Sequence, residues 1–164
     1  MRRVLIVVFI FIQVTFSLAQ NAKVEEARKL YPKSGTNKEV CKKLYDMLAQ
    51  IDEKNQNLLL GYKGAVMAEM AKHEKDAPKK LKFFKEGKRK LDESILNDLE
   101  NIELRFLRLS IQLHTPSALR YNGNISSDKE FIVQNIEKVK NENLKKSISE
   151  FMATLDSMPV SPPK

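Results

Sequence analysis

Two arginines set in an otherwise apolar helix are the residues of this chain best placed to do chemistry. The segment Ile102 to Leu113 carries Ile102, Leu104, Phe106, Leu107, Leu109, Ile111 and Leu113, and Arg105 and Arg108 interrupt it. A spacing of three puts both guanidinium groups on one side of a helix. In an apolar setting each must be paired or reach water. One use of such a pair is structural: each arginine caps a neighbouring helix or pairs with an internal carboxylate such as Glu69 or Glu103. The other use is recognition. An anion-binding spot, with Tyr62 or Tyr121 at its rim, would accept a peptide carboxylate or a phosphate. Arg105, Arg108, Tyr62 and Tyr121 are therefore the candidate partner-binding residues.

The remaining reactive residue types form no comparable set. His73 and His114 fall on different expected helices, each near a helix end where the dipole favours a cation. A zinc site needs three or four ligands, and no second His or Cys stands at ligand spacing. No metal or cofactor is expected. Cys41 is the one cysteine and cannot close a disulfide within the chain. It reads as a small apolar residue on a helix face. Gly61 and Gly64 lie inside a helical pattern, not in a phosphate-binding loop. Ser110 and Ser147 lack the strand–turn–helix setting of an activated serine. Glu93 and Glu100 could be drawn as a carboxylate pair, but nearby lysines favour surface pairing. No nucleophile–base set emerges, so a non-catalytic role is expected. An enzyme remains the weakest alternative.

The elements that must position these residues follow from apolar spacing. Leu, Lys and Glu dominate, Gly is scarce and no run of alternating β-branched residues occurs. The spacing predicts an all-α bundle of about six or seven helices. A first helix runs from Ala22 to Leu30 and ends at Tyr31-Pro32-Lys33-Ser34-Gly35. Thr36 with Glu39 forms a capping-box pattern. The helix it opens carries Val40, Leu44, Leu48 and Ile51. Beyond Asn55-Gln56-Asn57 a helix runs through Leu58, Tyr62, Val66 and Met70. Asp76-Ala77-Pro78 then caps a helix from about Lys79 to Asn97. Its core face is expected to hold Leu81, Phe84, Leu91 and Ile95. Gly87 sits mid-helix, where it costs up to about 1 kcal/mol against alanine. Close approach of a neighbouring helix would explain it. The helix from Ile102 to Leu113 has no wide polar face, so it is expected to be buried. Thr115-Pro116 ends it, and Asn122-Gly123 makes a turn. Ser127 with Glu130 forms a second capping box, opening a helix with Phe131, Ile132, Ile136 and Val139. A last helix carries Leu144, Ile148, Phe151, Met152 and Leu155.

Composition and the chain start set the class. Arg2 and Arg3, the apolar run Val4–Ile12 and Ser17-Leu18-Ala19 form the pattern of a secretory signal peptide, with cleavage expected after Ala19. Residues 20–158 are then one helical domain, and 159–164 an extended, disordered Pro-rich tail. Without Arg2 and Arg3 the chain holds 27 basic against 21 acidic residues, a net charge of +6. The two signs are interspersed, which points to solvated helix faces and away from nucleic acid. A basic exported protein can also rest on an anionic membrane surface. Absence of a disulfide framework fits a bacterial envelope protein, in the periplasm or released from the cell.

The stretch Gly87–Leu109 resembles the tetratricopeptide (TPR) family. Gly87, Leu91 and Ser94 follow its small–aromatic–small spacing, Asp98-Leu99-Glu100-Asn101 looks like its inter-repeat turn, and Leu60-Gly61-Tyr62 looks like part of a first helix. Leu99 stands where the family has proline, and the Asp76-Ala77-Pro78 connector is too long for the regular period of about 34 residues. At most one and a half degenerate repeats are present, over about Leu58–Leu113. The whole chain is also similar to exported helical proteins of bacteria through Tyr62-Lys63-Gly64-Ala65, Ile102–Arg108 and Asp128-Lys129-Glu130-Phe131-Ile132. That resemblance implies a shared fold and no activity. The expected function is that of a binding or adaptor protein presenting a helical-repeat-like surface to a protein or peptide partner. The alternative is a peripheral protein on an anionic membrane.

Overall fold

Helical spacing with few glycines leaves the backbone one way to satisfy its donors, within each helix. The computed structural model describes residues 20–157. The expected signal peptide and Pro-rich tail lie outside them. Among the described residues the chain is all-helical, with seven α-helices, two 3-10 turns and no strand. It divides between Asp98 and Leu99 into two compact units.

The first unit holds α1 (residues 20–34), α2 (Lys38–Leu48), α3 (Asn57–His73) and α4 (Ala77–Asn97). Helix α1 outruns its expected end at Leu30. Pro32 removes one backbone donor near the helix end, yet the helix continues because residues beyond Leu30 are buried. Tyr31 stacks edge-on against Tyr62 with ring centroids 5.8 Å apart. Buried Ser34 donates from its hydroxyl to the Tyr31 carbonyl at 2.7 Å. The cap of α2 is Asn37, whose Oδ1 accepts from the Val40 amide, not the expected Thr36. Its inward face turns with it: Cys41, Leu44 and Leu48 are fully buried, while Val40 is half-buried.

Helices α3 and α4 form an antiparallel hairpin. Asp76 caps α4 by accepting from the Lys79 amide, with Pro78 in the first turn as expected. The close approach anticipated at Gly87 is present, and its partner is Gly64. A Cβ at Gly87 would lie 2.5 Å from the Gly64 carbonyl oxygen; one at Gly64 would lie 2.5 Å from the Leu91 amide nitrogen. Phe84, Leu91 and Ile95 face the core. Leu81 does not: it falls at the edge of that stripe and stays 40% exposed. Phe83, half-buried, meets Tyr45 edge-on at 5.8 Å.

The loop after α2 ties this hairpin together from outside. Glu53 reaches Lys63 of α3 at 2.8 Å and Lys90 of α4 at 2.5 Å. Hydrogen bonds from Lys63 and then Lys90 hold its carboxyl below the usual range. A carboxyl lowered by folding stabilises the protein above its unfolded pKa, and loses that contribution as pH falls through the folded value. Glu53→Gln is therefore expected to lower the urea midpoint at pH 7, and the gap to the parent protein should close on acidification toward pH 3.

The second unit holds α5 (Ile102–Leu113), a 3-10 turn (Ser117–Leu119), α6 (Ile125–Asn135), a second 3-10 turn (Ile136–Lys138) and α7 (Glu142–Ser157). Helix α5 is buried over most of its surface, as its apolar circumference requires. Helix α6 starts before the expected Ser127 cap. Ser127 instead lies inside the first turn and donates to the Asn124 carbonyl at 3.0 Å. The earlier start brings Asp128, fully buried, onto the inner face. The helix expected to reach Val139 ends at Asn135, tightens into the 3-10 turn and leaves Val139 extended. Asn141 then caps α7, its Oδ1 accepting from the Leu144 amide at 2.9 Å. Ile132, Leu144, Ile148 and Met152 are buried, and Phe106 meets Phe151 edge-on at 5.2 Å.

Candidate partner-binding site

The arginine pair is brought together by helix periodicity and turned onto one carboxylate. Helices α5 and α6 run antiparallel, which sets Asp128 opposite the interval between Arg105 and Arg108. Arg108 grips Asp128 with a fork: Nε donates to Oδ2 and Nη2 to Oδ1, both at 2.7 Å. Arg105 adds Nη1 to Oδ1 at 3.1 Å. Its other nitrogens donate to the Leu99 carbonyl, at 3.2 Å from Nε and 2.9 Å from Nη2. Its guanidinium also lies 4.5 Å above the Phe131 ring. One turn along, Gln112 Nε2 donates to Asn124 Oδ1 at 3.3 Å, while the buried Gln112 Oε1 has no hydrogen-bond partner. A bidentate, desolvated pair of this kind fixes geometry more than it adds net stability.

The carboxylate is neither of the two expected. Glu69 belongs to the first unit, where Lys72 sits 2.7 Å from its Oε2 and donates to its Oε1 at 2.9 Å. Glu103 is buried on α5 itself, two residues before Arg105 and five before Arg108, and so on a different side of the helix. Asp128 wins because the α5–α6 pairing places it across from both guanidinium groups.

The four candidate residues divide between the two units. Arg105 and Arg108 share Asp128. Tyr62 lies in the first unit, 1% exposed, with its ring against Tyr31. Tyr121 follows the first 3-10 turn of the second unit and is 4% exposed. Neither ring is at an open rim. Compared with family models, curated proteins and solved structures, the chain matches none.

The other reactive groups are engaged in the fold. His73 faces the Ser34 carbonyl through Nε2 at 2.9 Å, and His114 faces the Ser110 carbonyl through Nδ1 at 2.8 Å. A carbonyl only accepts, so each facing ring nitrogen carries a proton. Ser110 donates to the Leu107 carbonyl at 2.8 Å, and Glu93 pairs with Arg89 at 2.8 Å. Among the described residues no group of three His, Cys, Asp or Glu side chains converges as metal ligands. Cys41 is fully buried, and burial pushes its thiol up to about 12. The thiolate is the nucleophile, so Cys41 is expected to resist thiol-labelling reagents at pH 8 in the native protein. It should react fully once urea unfolds the chain. Labelling followed by mass spectrometry checks both.

What the sequence left unseen is an open groove in the second unit, at the start of α5. Its volume is about 360 Å³. Ile102, Val139 and Leu144 supply its apolar surface, and Glu100, Glu103, Asn135 and Lys138 its polar surface. Three local events build it: Asn101 caps α5 by accepting from the Leu104 amide at 3.1 Å, α6 ends at Asn135, and the following 3-10 turn carries Lys138 to the rim. Glu100 and Lys138 are exposed, so opposite charges border an apolar floor. No sequence spacing announces this, because its walls come from three separated segments and depend on where α6 stops.

Proposed function

We propose that the protein is a non-catalytic binding or adaptor protein, exported to the bacterial envelope, that presents a helical, TPR-like scaffold to a protein or peptide partner. One observation carries the reading: the open groove beside α5, with an apolar floor and opposite charges at its rim. An open site suits a peptide segment better than a small metabolite, which is held in a more enclosed pocket. Apolar side chains of the partner fill the floor, while Glu100 and Lys138 orient flanking charges and exclude mismatched partners. Rigidity supports the same role. The Gly64–Gly87 contact locks one hairpin and the Asp128 node locks the other, so little order needs to be gained on binding.

The test is a cross-linked pull-down from the envelope fraction of the protein's own cell. The double substitution Glu100→Lys, Lys138→Glu leaves the net charge unchanged and reverses the rim. It is expected to reduce recovery of a specific partner about tenfold or more, because the reversal sets like charges against each other across the contact. Equal recovery with parent and variant would remove the groove from the account.

A further inference from the structure

The N-terminal half of α4 carries a charge distribution that its own fold does not explain. Between residues 72 and 85 the chain has six lysines and no arginine. Lys79 and Lys80 sit in the first turn of α4, which has no acidic residue. That is the positive end of the helix dipole, where cations are disfavoured. The nearest carboxylates are spent on the backbone. Glu74 accepts from the amides of Lys75 at 2.7 Å and Asp76 at 3.0 Å, and Asp76 accepts from the Lys79 amide at 2.8 Å. Those amides hold the Glu74 carboxyl low, helped by the charges of Lys79 and of Lys38 from α2, so Lys38 adds to the same corner. Lys79, Lys80, Lys82 and Lys85 are all exposed. Lys82 has only a long contact to Glu86, at 3.9 Å between exposed side chains. Among the described residues neither Lys80 nor Lys85 belongs to an ion pair. Leu81, 40% exposed, lies among them.

We propose that the face of α4 formed by Leu81, Lys82 and Lys85, with Lys79 at its edge and Lys80 adding to the field from the far side of the exposed first turn, docks the protein on an anionic membrane surface. Charge complementarity argues for an anionic occupant, and residue type selects the lipid surface. Lysine is a flexible point charge without the planar fork that reads defined carboxylates, so it suits a diffuse field of headgroups. The long stems let the ammonium groups reach headgroups while Leu81 approaches the acyl boundary. The inference stands apart from the groove, which belongs to the other unit.

Cosedimentation of the protein, in the form its cell produces, with lipid vesicles tests this. Vesicles containing phosphatidylglycerol in phosphatidylcholine are compared with phosphatidylcholine alone, at low and high salt. Binding is expected only with phosphatidylglycerol, and high salt should release it. The quadruple variant K79Q/K80Q/K82Q/K85Q should bind at least about tenfold more weakly. A charge-matched control on exposed lysines elsewhere, K33Q/K54Q/K140Q/K146Q, should lose no more than about threefold. Circular dichroism checks that both fold. If the quadruple variant does not, K82Q/K85Q replaces it, with an expected loss of about threefold or more. Failure to bind phosphatidylglycerol, or equal losses in the two quadruple variants, would overturn the proposal. So would binding of soluble polyglutamate through this face when vesicles are ignored, since the partner would then be an acidic protein.

Discussion

Replacing Asp128 with alanine is expected to destabilise the second unit by about 3–5 kcal/mol, the cost of leaving a buried ion pair with one member. Arg108, 8% exposed, would lose both bonds of its fork and keep its charge. Arg105 would suffer less, because the Leu99 carbonyl and the Phe131 face remain and its side chain is 17% exposed. In a chain of this length the melting temperature should fall by roughly 10 °C. The decisive comparison is the double substitution Arg108→Met, Asp128→Leu. Removing both charges should recover most of the loss, because an apolar pair of similar volume avoids the desolvation penalty. If Asp128→Ala is nearly neutral by thermal and urea unfolding, the node is not the structural pin described here.

Gly87→Ala and Gly64→Ala are each expected to cost about 2–3 kcal/mol, although alanine is the better helix former by about 1 kcal/mol. The added carbon meets backbone, which cannot rotate away. At Gly87 it would lie 2.5 Å from the Gly64 oxygen and 2.8 Å from the Ala68 nitrogen. At Gly64 it would lie 2.5 Å from the Leu91 nitrogen and 2.6 Å from the Gly87 oxygen. The helices must separate, loosening contacts of Leu91 and Ile95 along the seam. One separation accommodates both carbons, so the double variant should cost less than the sum of the singles. Gly123→Ala, which meets nothing within 4 Å, is the control and should change stability by less than about 0.5 kcal/mol. Urea unfolding of the four variants checks the ordering.

How far these features could be read from the sequence depends on whether they are local. Asp76 and Pro78 signal the start of α4 within three residues, and the structure follows them. Gly87 in mid-helix signals a close approach without saying to what. Its partner Gly64 becomes evident only when α3 and α4 are laid antiparallel. The Arg105–Arg108 pair is plain in the sequence, while its carboxylate is not. Asp128 was hidden inside a stretch read as a cap, because Ser127 and Glu130 satisfy a capping box on paper. The signal that could have found it is the antiparallel pairing of two helices around the Thr115–Gly123 connector, which sets the end of α5 beside the start of α6 and, one to two turns further back on α5, Arg108 and Arg105 against Asp128. Competing local signals explain the other departures. Tyr31 and Ser34 carry α1 past Pro32 through burial, and Asn37 outcompetes Thr36 as a cap. The groove was invisible because no local pattern encodes the place where α6 tightens into a 3-10 turn.

A partner held in the groove beside α5 should be captured there by site-specific photocrosslinking. A photoreactive residue at Val139, on the groove floor, is compared in the protein's own cells with one at Val133, which is 59% exposed on α6 and absent from the groove lining. The expected result is one discrete adduct from Val139, none from Val133, and loss of the adduct when Glu100→Lys and Lys138→Glu are added. An adduct of equal yield from both positions, or none from Val139, would contradict it.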